Sequence, residues 1–141
     1  MIIKHFEISK VDLKKYDYFL FYGDNEGLKE EVIVNLFEIN YPNKIHKYEE
    51  KEILDNKSGF FENVLTKSFF DNEKLIIINR ATDKIRITIE ELMEKNPTDI
   101  LFVLNSKKLE KKSTLRKLFE KEKTVICVPF YEDNNQTLNS I

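Results

Sequence analysis

The sequence predicts an α/β domain in three layers, with a mainly parallel β-sheet between two layers of helices. Its apolar runs of strand length are continuous rather than alternating, which is typical of strands buried on both faces of a parallel sheet. These runs alternate with helical patterns, which connect parallel strands by right-handed crossovers. Residues 44–48 do alternate, and they predict an edge strand. The four buried strands are predicted at residues 17–23, 74–79, 100–104 and 124–128.

Each predicted helix has apolar residues spaced three or four positions apart, which places them on one stripe of the helix surface. The first helix spans residues 25–39 and has Asp24 or Asn25 as its N-cap. Ser58 is predicted to cap a second helix, whose inward face includes Leu65. The remaining two helices are predicted at residues 82–95 and 107–121.

Composition limits the class of protein. The chain has 141 residues, of which 41% are hydrophobic and 34% are charged, as suits a single folded domain. The net charge of −2 gives no global attraction to nucleic acid. No apolar run approaches the roughly 20 residues of a membrane span, and the lone Cys127 lies in an apolar strand pattern. We therefore expect a cytoplasmic protein with a buried, unpaired cysteine.

The turn after the first strand resembles a phosphate-binding loop that has lost half of its pattern. That pattern is Gly, four variable residues, Gly, Lys, then Ser or Thr. Gly23 and Lys29 match it, but Leu28 replaces the second glycine and Glu30 replaces the magnesium-binding hydroxyl. Gly27 lies one position too early to substitute. We expect this turn to bind no nucleotide, and Lys29 to be a solvated surface lysine.

The rest of an active site is also missing from the sequence. An NTPase carries acidic residues at the end of a second buried strand, where this chain has Asn79 and Arg80. Asn105, at the end of the third, is a residue that commonly bonds its own loop. His5 and His46 lie apart from other metal-binding residue types, so no metal or cofactor is expected. A nucleotide-dependent phosphotransferase or NTPase that relies on Lys29 remains the alternative to a non-catalytic domain.

A likeness to a known family is carried by three segments: residues 18–31, residues 68–81, and residues 99–112 leading into 125–129. These segments resemble the delta subunit of bacterial DNA polymerase III, a clamp-loader subunit. The resemblance implies an AAA+ type, RecA-like fold with a degenerate phosphate loop. It also implies a non-catalytic part of the polymerase III holoenzyme, whose DNA-directed DNA polymerase activity belongs to the complex. The expected partners are the sliding clamp (beta subunit), the gamma or tau and delta-prime subunits, and DNA through the assembled complex.

The same resemblance divides the chain into two parts. Residues 1–131 would form the N-terminal, clamp-binding domain. Residues 132–141 are polar at first and then amphipathic in pattern, as suits a hinge and the start of a second domain. The parent protein would therefore be more than twice as long as this chain.

The resemblance places the clamp contact at Ser68, Phe69 and Phe70, with Leu65 beside them. The family has a Ser-Leu-Phe-like sequence at the end of the helix before the second buried strand, so Phe69 departs from it by replacing leucine. The residues themselves give a second argument. At about 100° per residue, Phe70 would point away from the helix face that contains Phe61, Val64 and Leu65. Exposed aromatic residues at a helix end suit insertion into an apolar pocket of a partner.

A lysine-rich stretch in the last predicted helix is a candidate DNA-contacting surface. Lys111, Lys112 and Arg116 are its central residues. Glutamates at positions 110, 120 and 122 dilute this positive charge, and such a run is more often a solvated helix face.

Overall fold

The sheet is parallel throughout. The computed structural model describes residues 1–66, 73–97 and 99–131. Within these ranges five strands form one sheet in the order β2-β3-β4-β1-β5, and each neighbouring pair is parallel. The strands are β1 (Tyr18–Tyr22), β2 (Ile45–Glu49), β3 (Lys74–Asn79), β4 (Ile100–Asn105) and β5 (Val125–Pro129).

The strand predictions are confirmed to within one residue at every end. All five residues of β1 are buried, because β1 lies between β4 and β5 and is covered on both faces. The alternating run at residues 44–48 corresponds to β2, which lies at the edge of the sheet and is only partly buried. Continuous apolar runs thus identify strands that are buried, including β5 at the other edge, and alternation identifies the partly exposed edge strand.

The helical segments match their predicted extent less closely. The predicted helix at residues 25–39 is helical almost throughout, but a π-helical turn (Ile33–Phe37) and a 3₁₀ turn (Glu38–Asn40) follow its α-helical part. Asn25 is its N-cap and accepts the N–H of Leu28 at 3.1 Å. The α-helices are α1 (Glu26–Val32), α2 (Glu50–Asp55), α3 (Lys57–Leu65), α4 (Arg86–Lys95) and α5 (Thr114–Lys121).

Two predicted helix starts are wrong. Helix α3 is capped by Asn56, whose side chain accepts the N–H of Gly59 at 3.1 Å, and Ser58 lies inside its first turn. Helix α5 begins at Thr114 rather than near residue 107, because Ser113 is its N-cap. Sequence periodicity also missed α2, which is only six residues long.

The sheet separates two apolar clusters, which confirms the three-layer arrangement. Alternate residues of β1 point to opposite faces, so Phe19 belongs to one cluster and Leu20 to the other. Residues of α1 and the π turn cover the first face, and helices α2 to α5 cover the second. The crossover from β1 to β2 runs in the opposite direction along the sheet from the later ones. A uniform crossover hand therefore requires its helix to lie on the opposite face.

The outer edge of β5 is covered by the start of the chain. The N–H of Ile3 donates to the carbonyl of Cys127 at 3.0 Å, and the N–H of Cys127 donates to the carbonyl of Met1 at 2.8 Å. Cys127 is 0% exposed, which confirms the predicted buried cysteine.

Candidate functional site

The carboxyl ends of β1 and β4 mark the place where a ligand would be expected. In open parallel sheets, ligands bind where adjacent strands send their loops to opposite faces. Here β1 and β4 are such neighbours, since α1 and α5 lie on opposite faces. Backbone hydrogen bonds join their loops, from the N–H of Gly23 to the carbonyl of Lys107 (3.1 Å) and from the N–H of Ser106 to the carbonyl of Phe21 (2.8 Å). The loop after β1 is therefore joined directly to the loop after β4.

Gly23 also makes a close contact with the end of β5. Its φ is +122°, and a Cβ atom at this position would lie 2.1 Å from the carbonyl oxygen of Phe130. That carbonyl accepts the N–H of Asn25 at 3.1 Å, while the N–H of Phe130 donates to the carbonyl of Tyr22 at 2.6 Å. The turn after β1 is thus fixed to the loops of both neighbouring strands, and only glycine fits at its first position.

Lys29 is a structural residue rather than a surface one. The prediction of a solvated lysine is wrong, because Lys29 is 0% exposed. Its Nζ donates to the carbonyl oxygen of Ser106 at 2.6 Å and to Oε2 of Glu26 at 3.0 Å. Lys29 stands where the phosphate-loop pattern has its lysine. Its ammonium group is therefore already hydrogen-bonded to a carbonyl and a carboxylate of the protein itself. It ties α1 to the loop after β4.

Two other residues of the turn are poorly suited to an anion. The N–H of Leu28 is taken by its N-cap, Asn25, and the Leu28 side chain packs against the apolar cluster on the α1 face. Glu30 is exposed and acidic. Gly27 is exposed, and a Cβ atom there would meet no heavy atom within 4 Å.

A polar cleft of about 410 Å³ lies beside this turn. The strand-end residues Asn79 and Asn105 meet there, since Nδ2 of Asn105 donates to Oδ1 of Asn79 at 3.2 Å, a contact with the neighbouring strand that the sequence analysis did not predict. Arg80 is paired with Glu49. In the described ranges no group of three or more His, Cys, Asp or Glu side chains is placed to hold a metal ion. The cleft is lined by Glu26, Glu49, Asn79, Arg80, Asn105, Ser106 and Lys107.

Two carboxylates near the carboxyl ends of the strands have structural roles that the sequence analysis did not predict. Glu50 accepts hydrogen bonds from the N–H and Oγ1 of Thr82, both at 2.7 Å. Asp83 accepts from Oγ of Ser113 at 2.5 Å and from the N–H of Leu115 at 3.1 Å. Each carboxylate stabilises the start of a helical segment that is distant in sequence. Local spacing carries no signal for such contacts.

Only one of the four predicted clamp-contacting residues lies in the described part of the chain. Leu65 is the last residue of α3 and is half-buried against the apolar cluster on its face of the sheet. Ser68, Phe69 and Phe70 lie outside the described residues. The predicted inward face of α3 needs one correction, because Phe60 and Val64 are its buried residues, while Phe61 is only partly buried.

The lysine-rich stretch is not one helix face. Lys111 and Lys112 are exposed and lie in the turn before α5. The Arg116 side chain is only 14% exposed and donates to Oε2 of Glu120 (2.8 Å) and to the carbonyl of Leu109 (2.9 Å). Its guanidinium also lies 5.0 Å from the centre of the Tyr22 ring. These three residues therefore differ in exposure, and their contact with DNA stays a prediction.

The fold and this edge define the class of protein: a parallel α/β domain in which the turn after β1 is bonded to the loops of both neighbouring strands and to a buried lysine, beside a polar cleft. No helix in residues 1–66, 73–97 or 99–131 has the length and apolar character to span a membrane. A family model described as DNA polymerase III, delta subunit, matches residues 19–128. The chain belongs to this family, which confirms the resemblance found in the sequence.

A solved structure supports the fold assignment. The chain is similar to the Bacillus subtilis DNA clamp loader delta protein (YqeN), with a TM-score of 0.69 and 17% sequence identity. The alignment covers 96% of this chain and 45% of that one, so the chain spans less than half of that protein's length. A search of curated proteins gives no match.

Proposed function

We propose that the chain is the N-terminal domain of a clamp-loader delta subunit, which binds the sliding clamp and helps to open its ring during DNA replication. Membership of the delta subunit family supports this role. The structural observation that carries it is the closed edge at β1 and β4, where Lys29 is hydrogen-bonded to Ser106. This edge suits a domain that acts by binding a protein and does not hydrolyse nucleotide.

In this proposal the scaffold is of the AAA+ type and its phosphate loop is degenerate. The parallel sheet and the position of Lys29, one turn into the helix after β1, support the first part. Leu28 at the position of the second glycine and Glu30 at the position of the hydroxyl support the second. Residues 1–131 would form this domain, and residues 132–141 would lead to the next one.

The clamp contact is proposed at Ser68, Phe69 and Phe70, with Leu65 at the base of the segment. Aromatic side chains that enter an apolar pocket are common sources of binding energy in interfaces. To open the ring, the domain must bind the open or strained clamp more tightly than the closed one, since equal affinity would shift nothing. ATP hydrolysis would belong to the gamma or tau subunits. Delta-prime and DNA would be met in the assembled cytoplasmic complex.

Direct binding to the clamp tests this assignment. We expect the Phe69→Ala, Phe70→Ala double variant to bind purified sliding clamp about 30-fold or more weakly, as loss of a hot spot does. The measurement is the dissociation constant from calorimetry or surface plasmon resonance. Phe6→Ala is the matched control, because Phe6 is another phenylalanine and is 64% exposed. Unchanged affinity of the double variant would show that Phe69 and Phe70 do not form the clamp contact.

The alternative, a nucleotide-dependent phosphotransferase, is disfavoured by the contacts of Lys29. A nucleotide would have to displace Lys29 from the Ser106 carbonyl and from Glu26 before its phosphates met a cation. Titration with ATP and magnesium separates the two functions. Binding tighter than millimolar would favour the phosphotransferase.

A further inference from the structure

We infer that the loop after β4 (residues 106–112) is a binding surface for the phosphate backbone of DNA. Its lysines make the contact, and Arg116 holds the loop in shape without touching the DNA. This inference rests on the proposed function, in which the domain belongs to a clamp loader that works on DNA. It deepens that function, because it assigns a direct DNA contact to this domain and not only to the assembled complex.

The loop concentrates positive charge within a chain that is acidic overall. It contains four lysines and one glutamate, whereas the whole chain has a net charge of −2. All four lysines are exposed. Nζ of Lys112 lies 3.9 Å from Oε2 of Glu110, while Lys107, Lys108 and Lys111 form no ion pair with another described residue. These ammonium groups are therefore available to phosphate groups.

The loop is fixed to neighbouring elements at both ends. At its start, the carbonyl of Lys107 accepts the N–H of Gly23 at 3.1 Å. Directly after its end, Oγ of Ser113 donates to Oδ1 of Asp83 at 2.5 Å. A surface whose backbone is held in advance loses less conformational entropy when it binds a partner.

Arg116 fixes the middle of the loop. Its Nη1 donates to the carbonyl of Leu109 at 2.9 Å, and its Nε donates to Oε2 of Glu120 at 2.8 Å. The guanidinium also lies 5.0 Å from the centre of the Tyr22 ring. With its side chain only 14% exposed, Arg116 acts on DNA through the loop and is a positioning residue.

The chemistry of the loop suits phosphate and not base recognition. Lysine binds phosphate as a point charge, and contacts with the phosphate backbone carry no sequence information. DNA presents a continuous row of negative charges, so several lysines of one loop can be engaged together. The contact we infer is therefore independent of DNA sequence and sensitive to salt.

The test is DNA binding by the full protein in the absence of other loader subunits, measured by fluorescence anisotropy with a fluorescein-labelled duplex. We expect Lys108→Gln, Lys111→Gln to bind about 10-fold more weakly at about 50 mM salt. The slope of log affinity against log salt concentration should fall by about 2, since two phosphate contacts are lost. Lys14→Gln, Lys15→Gln is the matched control. It removes the same charge from two exposed lysines of a 3₁₀ turn (Leu13–Lys15) at the amino end of β1, and its affinity and slope should not change.

A variant of Arg116 tests the positioning role. Arg116→Met should weaken DNA binding about 2- to 3-fold through loss of loop order, with an unchanged salt slope because no phosphate contact is removed. If circular dichroism shows that Arg116→Met does not fold, Arg116→Gln is measured in its place, with the same expected result. A slope that falls by about 1 would show that Arg116 itself contacts phosphate and would overturn its positioning role.

Clamp binding separates this inference from the proposed function. Lys108→Gln, Lys111→Gln should bind purified sliding clamp as wild type does, and a loss of clamp affinity would overturn the inference by showing that the loop contacts a protein. Equal DNA binding by this variant and its control would also overturn it, as would a wild-type protein that does not bind the duplex at about 50 mM salt. Failure of the proposed clamp contact appears in the Phe69→Ala, Phe70→Ala variant instead, so the two failures are distinguishable.

Discussion

Two regions of the molecule contrast in how their polar groups are used. At the carboxyl ends of β1 and β4, Gly23, Lys29 and Ser106 bond to the protein itself. At the connection from α3 to β3, Oγ1 of Thr66 donates to the carbonyl of Glu62, and the Lys74 ammonium donates to the carbonyl of Thr66. On the proposed function, the aromatic residues between them meet a partner. On that proposal, the polar groups at the usual ligand-binding edge of the sheet stabilise the domain, and a different region binds the partner.

The largest expected effect is at Gly23. Gly23→Ala places a Cβ atom 2.1 Å from the Phe130 carbonyl oxygen, at a φ of +122°. We expect it to lower the free energy of unfolding by about 3 kcal/mol or more, measured by urea denaturation. Gly27→Ala is the matched control. Gly27 lies in α1 with open space around it, so alanine there should raise stability by about 0.5–1 kcal/mol. Equal effects at the two glycines would contradict the close contact between Gly23 and Phe130.

The next effect is expected at Lys29. Lys29→Met keeps an unbranched apolar chain but leaves the Ser106 carbonyl without its donor. We expect a loss of about 1–3 kcal/mol in the free energy of unfolding, the usual penalty for an unpaired buried polar group. Lys51→Met is the control, because the Lys51 side chain is 85% exposed and its pair with Asp55 is on the surface. A loss at Lys29 no larger than at Lys51 would show that the buried contacts add no stability.

The smallest expected effect is at Asp83, on the rim of the closed edge. Burial alone would raise the pKa of its carboxyl group, but hydrogen bonds from Ser113, Leu115 and Thr114 outweigh burial. With a smaller contribution from Arg86, they lower the pKa below its ordinary value of 3.8. We expect Asp83→Ala to lower the free energy of unfolding at pH 7 by about 1 kcal/mol, as for loss of a helix cap.

The lowered pKa of Asp83 also predicts how the stability contributed by this residue changes with pH. A carboxyl group with a lowered pKa in the folded state contributes stability above its unfolded pKa, and loses it as the pH falls through the folded value. The difference between wild type and Asp83→Ala should therefore shrink below about pH 4. Urea midpoints at pH 7 and pH 3 measure it. A difference that is the same at both would contradict the assigned role.

The sequence predicted the sheet well because the burial of a strand follows from the apolar residues within that strand. The run at β1 is apolar at every position, and β1 is buried at every position. Helix starts were predicted less well, because more than one nearby residue can act as a cap: Asn56 caps α3, and Ser58, two residues later, does not. The start of α5 depends on Asp83 as well as on Ser113. Lys29 was misjudged because its partner Ser106 is 77 residues away.

The placement of Cys127 makes the protein convenient for chemical labelling. It is the one cysteine in the sequence, and burial raises the pKa of its thiol to about 12. Since the thiolate is the reactive form, maleimides should leave the folded domain unmodified and react only after it unfolds. A fluorophore attached to a cysteine introduced at an exposed position such as Lys111 would then report on that position alone.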